Sequence, residues 1–332
     1  MEPTVPQQES PVLDSSAALS PAGDRTEAAG ESPPRPTGVW SALLGATLLC
    51  VGGDLVGVLL AVLVLAFLVS PWSSHGPPSP SVSQAMTQPR FFVLSLTLAG
   101  ACTVLFALLA GRNAGRPWRD RLGLVRGRVP ARELPLLVLA GLGVLGIGML
   151  LVSALQHVGL LGELGKSRKY VAALKVALAS ATPATRVALA LSGSVLAGLA
   201  EELVFRGYLL RALLVRWRPA LAIGVSSVLF AAMHGDLAYD VFVLPAGVCL
   251  GYVAWRADSI VPTIVCHASV NALGQTGIAV FGKWSARSAG LAPCAHDTPT
   301  LALLASAALV VSAALVWIGI WRVQRSTRIT SA

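Results

Sequence analysis

From Gly38 to the C-terminal tail, apolar runs close to the ~20 residues needed to span a bilayer alternate with short polar connections, and this alternation predicts eight transmembrane helices. The clearest runs, Phe91 to Gly111, Leu134 to Leu161 and Leu301 to Trp321, contain no charged residue. Gly38 to Ser70 contains only Asp54, and Ser259 to Gly282 contains none, although it holds His267 and Asn271. The middle of the chain is less regular. Val187 to about Arg206 carries two glutamates, and Pro219 to His234 and Val241 to Trp255 are short. Those short runs can span if tilted or joined by an apolar turn, or one of them re-enters the membrane. The predicted fold class is therefore all-α, a polytopic transmembrane helix bundle preceded by a disordered tail.

The same pattern divides the chain. Residues 1–37 are rich in Pro, Ser, Ala and Glu, set six acidic residues against Arg25 and Arg35, and show no apolar periodicity, as expected of a disordered polar tail. No basic segment runs from this tail directly into a short apolar core, so it does not look like a cleaved signal peptide. Residues 38–161 hold the N-terminal transmembrane helices. Residues 162–184 connect them to the second half of the chain, either as a loop or as an amphipathic helix on the membrane surface, since Tyr170, Leu174 and Leu178 recur at helical spacing. Residues 185–282 form a core in which polar groups gather, and 283–332 supply a loop, the last helix and a basic tail.

Composition changes the picture by exclusion. Of 332 residues 55% are hydrophobic and 12% charged, whereas a soluble domain carries about 25% charged residues, so a water-soluble globular protein is excluded. The formal charge of +9 reports topology rather than nucleic-acid binding. Seven arginines fall between Arg112 and Arg132, four between Arg206 and Arg218 and three after Trp321, and with eight spans all three stretches lie on the cytoplasmic side. Cys50, Cys102, Cys249 and Cys266 lie in apolar runs and only Cys294 in a polar stretch, which argues against a disulfide framework. An excess of Arg over Lys with abundant Ala, Leu and Gly suggests a GC-rich bacterial genome, and hence a bacterial plasma membrane.

An ionisable group inside a bilayer costs about 2.5–3.5 kcal/mol at a helix centre, so each is a functional candidate. Here they cluster. Glu202 and Arg206 are four apart on one helix face and close enough to pair, while Glu201 points about 100° away and is left free. A second carboxylate adds cost without adding a partner, which argues against a purely structural ion pair. Phe230-Ala-Ala-Met-His234 closes the fifth run, and His267-Ala-Ser-Val-Asn271 lies in the seventh with His and Asn on one face. Two carboxylates, two imidazoles and a carboxamide supply a general base, a proton shuttle and donors for an oxyanion, which is an outfit for hydrolysis. His234 falls about 9 Å beyond the midpoint of its run at 1.5 Å per residue, so a water-filled cavity or a longer, tilted helix is needed to bring it level with Glu201. Asp54 and His157 read as packing residues, having no partner on their own helices.

Glu-Glu-x-x-x-Arg, Phe-x-x-x-His and His-x-x-x-Asn, each on a hydrophobic helix and in this order, resemble the CPBP family of intramembrane proteases. That family includes the type II CAAX prenyl endopeptidases and relatives linked to bacteriocin processing or self-immunity, often labelled lysostaphin-resistance-like. Phe205 and Gly207 also fit its Glu-Glu-x-x-Phe-Arg-Gly form. The resemblance implies an endopeptidase acting on a membrane-associated protein or peptide, with 185–282 as its catalytic core. It implies that Glu201 and His234 activate a water, that Glu202 and Arg206 fix the geometry, and that His267 and Asn271 hold the oxyanion. It implies no cofactor, although Glu and His are also zinc ligands and the family has carried the metalloprotease label. Against zinc, the chain has no His-Glu-x-x-His motif. Two other classes remain: an ion-coupled transporter, disfavoured because the halves of the chain show no internal repeat, and a non-proteolytic membrane scaffold or bacteriocin self-immunity protein that keeps the fold. Partners are the substrate and the bilayer; oligomeric state is not legible.

Overall fold

A computed structural model describes residues 38–69, 88–112, 117–161, 181–288 and 298–329. The polar tail at 1–37 and the helix considered around Tyr170 lie outside the described residues.

Each of the eight apolar runs is a helix, as it must be where hydrocarbon offers a backbone no hydrogen-bond partners. They are α1 (Val39–Val69), α2 (Pro89–Arg112), α3 (Leu134–His157), α4 (Pro183–Leu214), α5 (Pro219–Ala232), α6 (Leu237–Ala257), α7 (Val261–Ser288) and α8 (Thr298–Ile329). Among the described residues there is no strand, and five helices, those built on α1, α2, α3, α4 and α6, are long and apolar enough to cross a membrane. The protein is an integral, multi-pass membrane protein. Its surface agrees, since large apolar side chains such as Leu44, Leu48, Leu55 and Phe67 on α1 are exposed.

Two runs outgrow their apolar stretches. The sixth starts at Leu237, where the Asp236 side chain accepts the Tyr239 N–H at 3.2 Å and caps the helix. The fourth runs on past Arg206 to Leu214 before Arg218 and Pro219 reverse the chain into α5. Thus α4 and α5 form a tight hairpin.

The arginine-rich stretches meet at one end of the bundle. The Ile260 N–H donates to the Gly123 carbonyl at 2.9 Å and the Arg128 N–H to that of Ala257 at 2.8 Å. Arg211 reaches Asp258 at 3.1 Å, and Arg322 of the tail lies 3.7 Å from Glu133. This shared end is the one that the sequence pattern places on the cytoplasmic side. His157, read as a packing residue, is exposed at the opposite end of α3.

Small residues let the helices approach closely, which replaces the hydrophobic drive that lipid does not provide. Gly53 and Gly57, one turn apart on α1, leave no room for a Cβ against Thr103 and Ala99 of α2.

Candidate active site

The site is built on α4, which is not a uniform α-helix. Leu191–Leu196 and Leu203–Leu210 widen into π-helical turns on either side of Ala197–Glu202, the segment that carries the adjacent glutamates. Such wide turns re-aim side chains and recur at functional sites. Glu202 is fully buried and Arg206 almost so, and Arg206 Nη1 donates to Glu202 Oε1 at 2.7 Å. The guanidinium fork is used further: Nη2 donates to the Gly247 carbonyl of α6 at 3.1 Å, and the cation lies 4.4 Å from the centroid of the Phe230 ring.

His267 enters from α7 between the two carboxylates. Its Nδ1 lies 2.8 Å from Glu202 Oε1 and its Nε2 lies 3.6 Å from Glu201 Oε2. Glu201 is the accessible one of the pair, with a quarter of its side chain exposed (25%) against none for Glu202 (0%). The division between a committed and a free glutamate thus has a structural counterpart.

His234 stands just past the end of α5. Its Nδ1 lies 3.1 Å from the carbonyls of both Phe230 and Ala231. A carbonyl oxygen can only accept, so Nδ1 carries the proton and, in the neutral ring, Nε2 presents a lone pair. Asn271, one turn beyond His267, donates from Nδ2 to the Gly193 carbonyl in the first wide turn at 3.4 Å.

Residues 183–273, about a quarter of the chain, match the family model of the Rce1-like type II CAAX prenyl endopeptidases. The chain carries an Rce1-like domain. The match over this span points to an intramembrane protease. No curated protein and no solved structure matches the chain. The matched span of the Rce1-like domain begins with α4 and contains all six candidate residues, Glu201, Glu202, Arg206, His234, His267 and Asn271.

Two features escape a reading of spacing alone, one inside the Rce1-like span and one on α1 outside it. Phe230 is the hub of the cluster: its ring meets those of His234 and His267 edge-on at 5.3 and 5.8 Å and that of Phe205 at 5.4 Å, besides receiving Arg206. The sequence marks Phe230 only as the first letter of Phe-x-x-x-His. Leucine keeps much of the volume, and volume-conserving core exchanges cost under about 1.5 kcal/mol, but it offers no π-face to the guanidinium or to the imidazole edges. Phe230→Leu is therefore expected to reach the membrane at near wild-type abundance with kcat lowered about tenfold, a loss of ~1.4 kcal/mol. Steady-state cleavage normalised to folded protein checks this, and an unchanged kcat would mean that the ring does not position the site. The second feature is Asp54 of α1, which interacts electrostatically with both Glu201 and His234. The groups that bear on its charge therefore lie on other helices, where spacing along α1 cannot show them.

Proposed function

We propose that this chain is an intramembrane endopeptidase that hydrolyses a peptide bond of a membrane-associated protein or peptide with a water activated by Glu201 and His234. The observation that carries the proposal is the convergence of an accessible carboxylate, a fixed imidazole and a buried Glu202–Arg206–His267 network around one aromatic ring. The catalytic core in this reading is residues 185–282.

The Glu201 carboxylate takes a proton from water, and the hydroxide oxygen adds to the scissile carbonyl carbon. The carbonyl π electrons move to oxygen and give a tetrahedral oxyanion. His234, whose Nδ1 is committed to two carbonyls, accepts that proton from Glu201 on Nε2 and hands it on to the departing amine nitrogen. Collapse of the intermediate restores the C=O, breaks the C–N bond and places the abstracted proton on the departing amine. One water and one peptide bond become one carboxylate and one protonated amine, which takes up both protons of the water.

Asn271 and His267 are the donors for the oxyanion. In that role His267 carries a proton on Nε2, and Glu201 and Glu202, one against each ring nitrogen, are the counter-charges for that form. Glu202 and Arg206 act by position, holding Nδ1 of His267 and so the direction of its ring.

The zinc-dependent alternative meets an obstacle in the donor set. Among the described residues no three His, Cys, Asp or Glu side chains converge to hold a metal ion.

Comparative membrane peptidomics of cells carrying the wild type and His234→Ala tests the reading. Peptides released only by the wild type are expected, at equal membrane abundance of the two proteins, and 1,10-phenanthroline is expected to leave their release unchanged. Identical peptide sets would sink the protease reading. Activity abolished by the chelator and restored by zinc would establish the metal-dependent form instead.

A further inference from the structure

Asp54 is the only charged residue in α1 and lies at its middle, where a carboxylate facing hydrocarbon is costly. The packing of α1 explains what it does there. Up to Cys50 its buried stripe, Ala42, Ala46 and Cys50, belongs to one apolar cluster with Leu203, Val204 and Leu210 of α4. From Gly53 onward the buried stripe turns to α2 through Gly53 and Gly57. Asp54 sits at the changeover and is exposed, at the edge where the contact with α4 gives way to that with α2.

Its depth is fixed by helical register. Gly45 packs directly on the Tyr208 side chain of α4. From Gly45 to Asp54 the rise is about 13.5 Å, and from Tyr208 back to Glu201 at most about 10.5 Å, less across the wide turns, so with α1 and α4 antiparallel the two carboxylates fall in the same zone of the bundle. At this level Asp54 lies within electrostatic range of the like-charged Glu201 and of His234.

We propose that Asp54 is a positioning residue of the hydrolytic site, lining a water-filled opening beside α1 and holding, through bridging water, the attacking water and the His234 imidazole. The role rests on the endopeptidase reading of the site. Asp54 exchanges no proton in the reaction. It accepts hydrogen bonds from water that would otherwise be disordered, and its charge faces the ring that carries the proton between attack and amine release. A carboxylate turned to lipid would do neither, and hydration of the opening relieves the cost of its mid-membrane place.

Two measurements on the full chain in lipid nanodiscs test the proposal. Asp54→Asn and Asp54→Glu are assayed with an internally quenched farnesylated CAAX peptide as probe. Asp54→Asn is expected to lower kcat at least tenfold with KM within about twofold, and Asp54→Glu to recover part of the loss, a pattern that a merely structural role would not give. Separately, Asp54→Cys and Leu55→Cys, in a background with the five native cysteines replaced, are exposed to a membrane-impermeant charged methanethiosulfonate. Leu55 is also exposed on α1 but apolar. Cysteine at 54 is expected to react at least tenfold faster. Wild-type kcat and KM in Asp54→Asn, or equal labelling at 54 and 55, would overturn the proposal. A wild type that cleaves neither this probe nor any peptide in the membrane peptidomics above overturns the protease reading and the positioning role with it, while the labelling still decides whether the opening holds water.

Discussion

Replacing Glu201 with glutamine is expected to lower kcat by about 10²–10⁴-fold, the range over which a positioned general base contributes, while leaving the protein in the membrane at wild-type abundance. The exchange is nearly isosteric and keeps the hydrogen-bonding reach of the side chain, so it removes basicity and little else. Its neighbours make the effect selective. Glu201 is partly exposed and 3.6 Å from His267 Nε2, whereas the fully buried Glu202 carries the close contacts to Arg206 and to His267 Nδ1. Neutralising Glu201 therefore leaves the buried network intact. Quantitative immunoblotting of membranes together with cleavage of an internally quenched peptide separates the two readouts. Activity within threefold of wild type would remove Glu201 from the role of base and leave His234 to fill it alone.

What could be read from the sequence has a physical boundary. The eight helices are legible because hydrocarbon demands long apolar runs with internally satisfied backbones. The pairing of Glu202 with Arg206 is legible because a four-residue spacing puts two side chains on one helix face. The depth of His234 is not legible from run midpoints, which place it about 9 Å too far along. The α4–α5 hairpin supplies the missing reference: Glu201 lies thirteen residues before Leu214 and His234 fifteen after Pro219, about 20 and 22 Å from the same turn. The tight reversal brings them to comparable depth, which a count from run midpoints cannot show. Asp54 and the hub at Phe230 lie beyond any such count. Each depends on which helices become neighbours, and α1 is separated from α4 by more than a hundred residues of chain.

Arg206→Met is expected to destabilise the folded protein by about 3–5 kcal/mol, the cost of leaving one partner of a buried ion pair without its counter-charge. Glu202 is completely buried and Arg206 is 1% exposed, so no water replaces the guanidinium when it is removed. Three attachments go with it: the 2.7 Å bond to Glu202, the 3.1 Å bond to the Gly247 carbonyl, and the contact with the Phe230 ring. Lysine cannot restore them together, because a single ammonium lacks the planar fork. Adding Glu202→Gln to Arg206→Met removes the stranded charge, and replacing both members of a buried pair is often close to neutral, so the double variant is expected to regain most of the lost stability. Cleavage is not expected to return with it, since His267 Nδ1 then faces a neutral amide in place of the carboxylate that fixes its ring. Thermal unfolding of the wild type, both single variants and the double in one detergent gives the coupling energy of the pair, and cleavage assays on the same samples give the activity. A double variant as unstable as Arg206→Met would mean that the loss comes from the Gly247 and Phe230 contacts. A stable, active double variant would mean that the pair serves neither the fold nor the site.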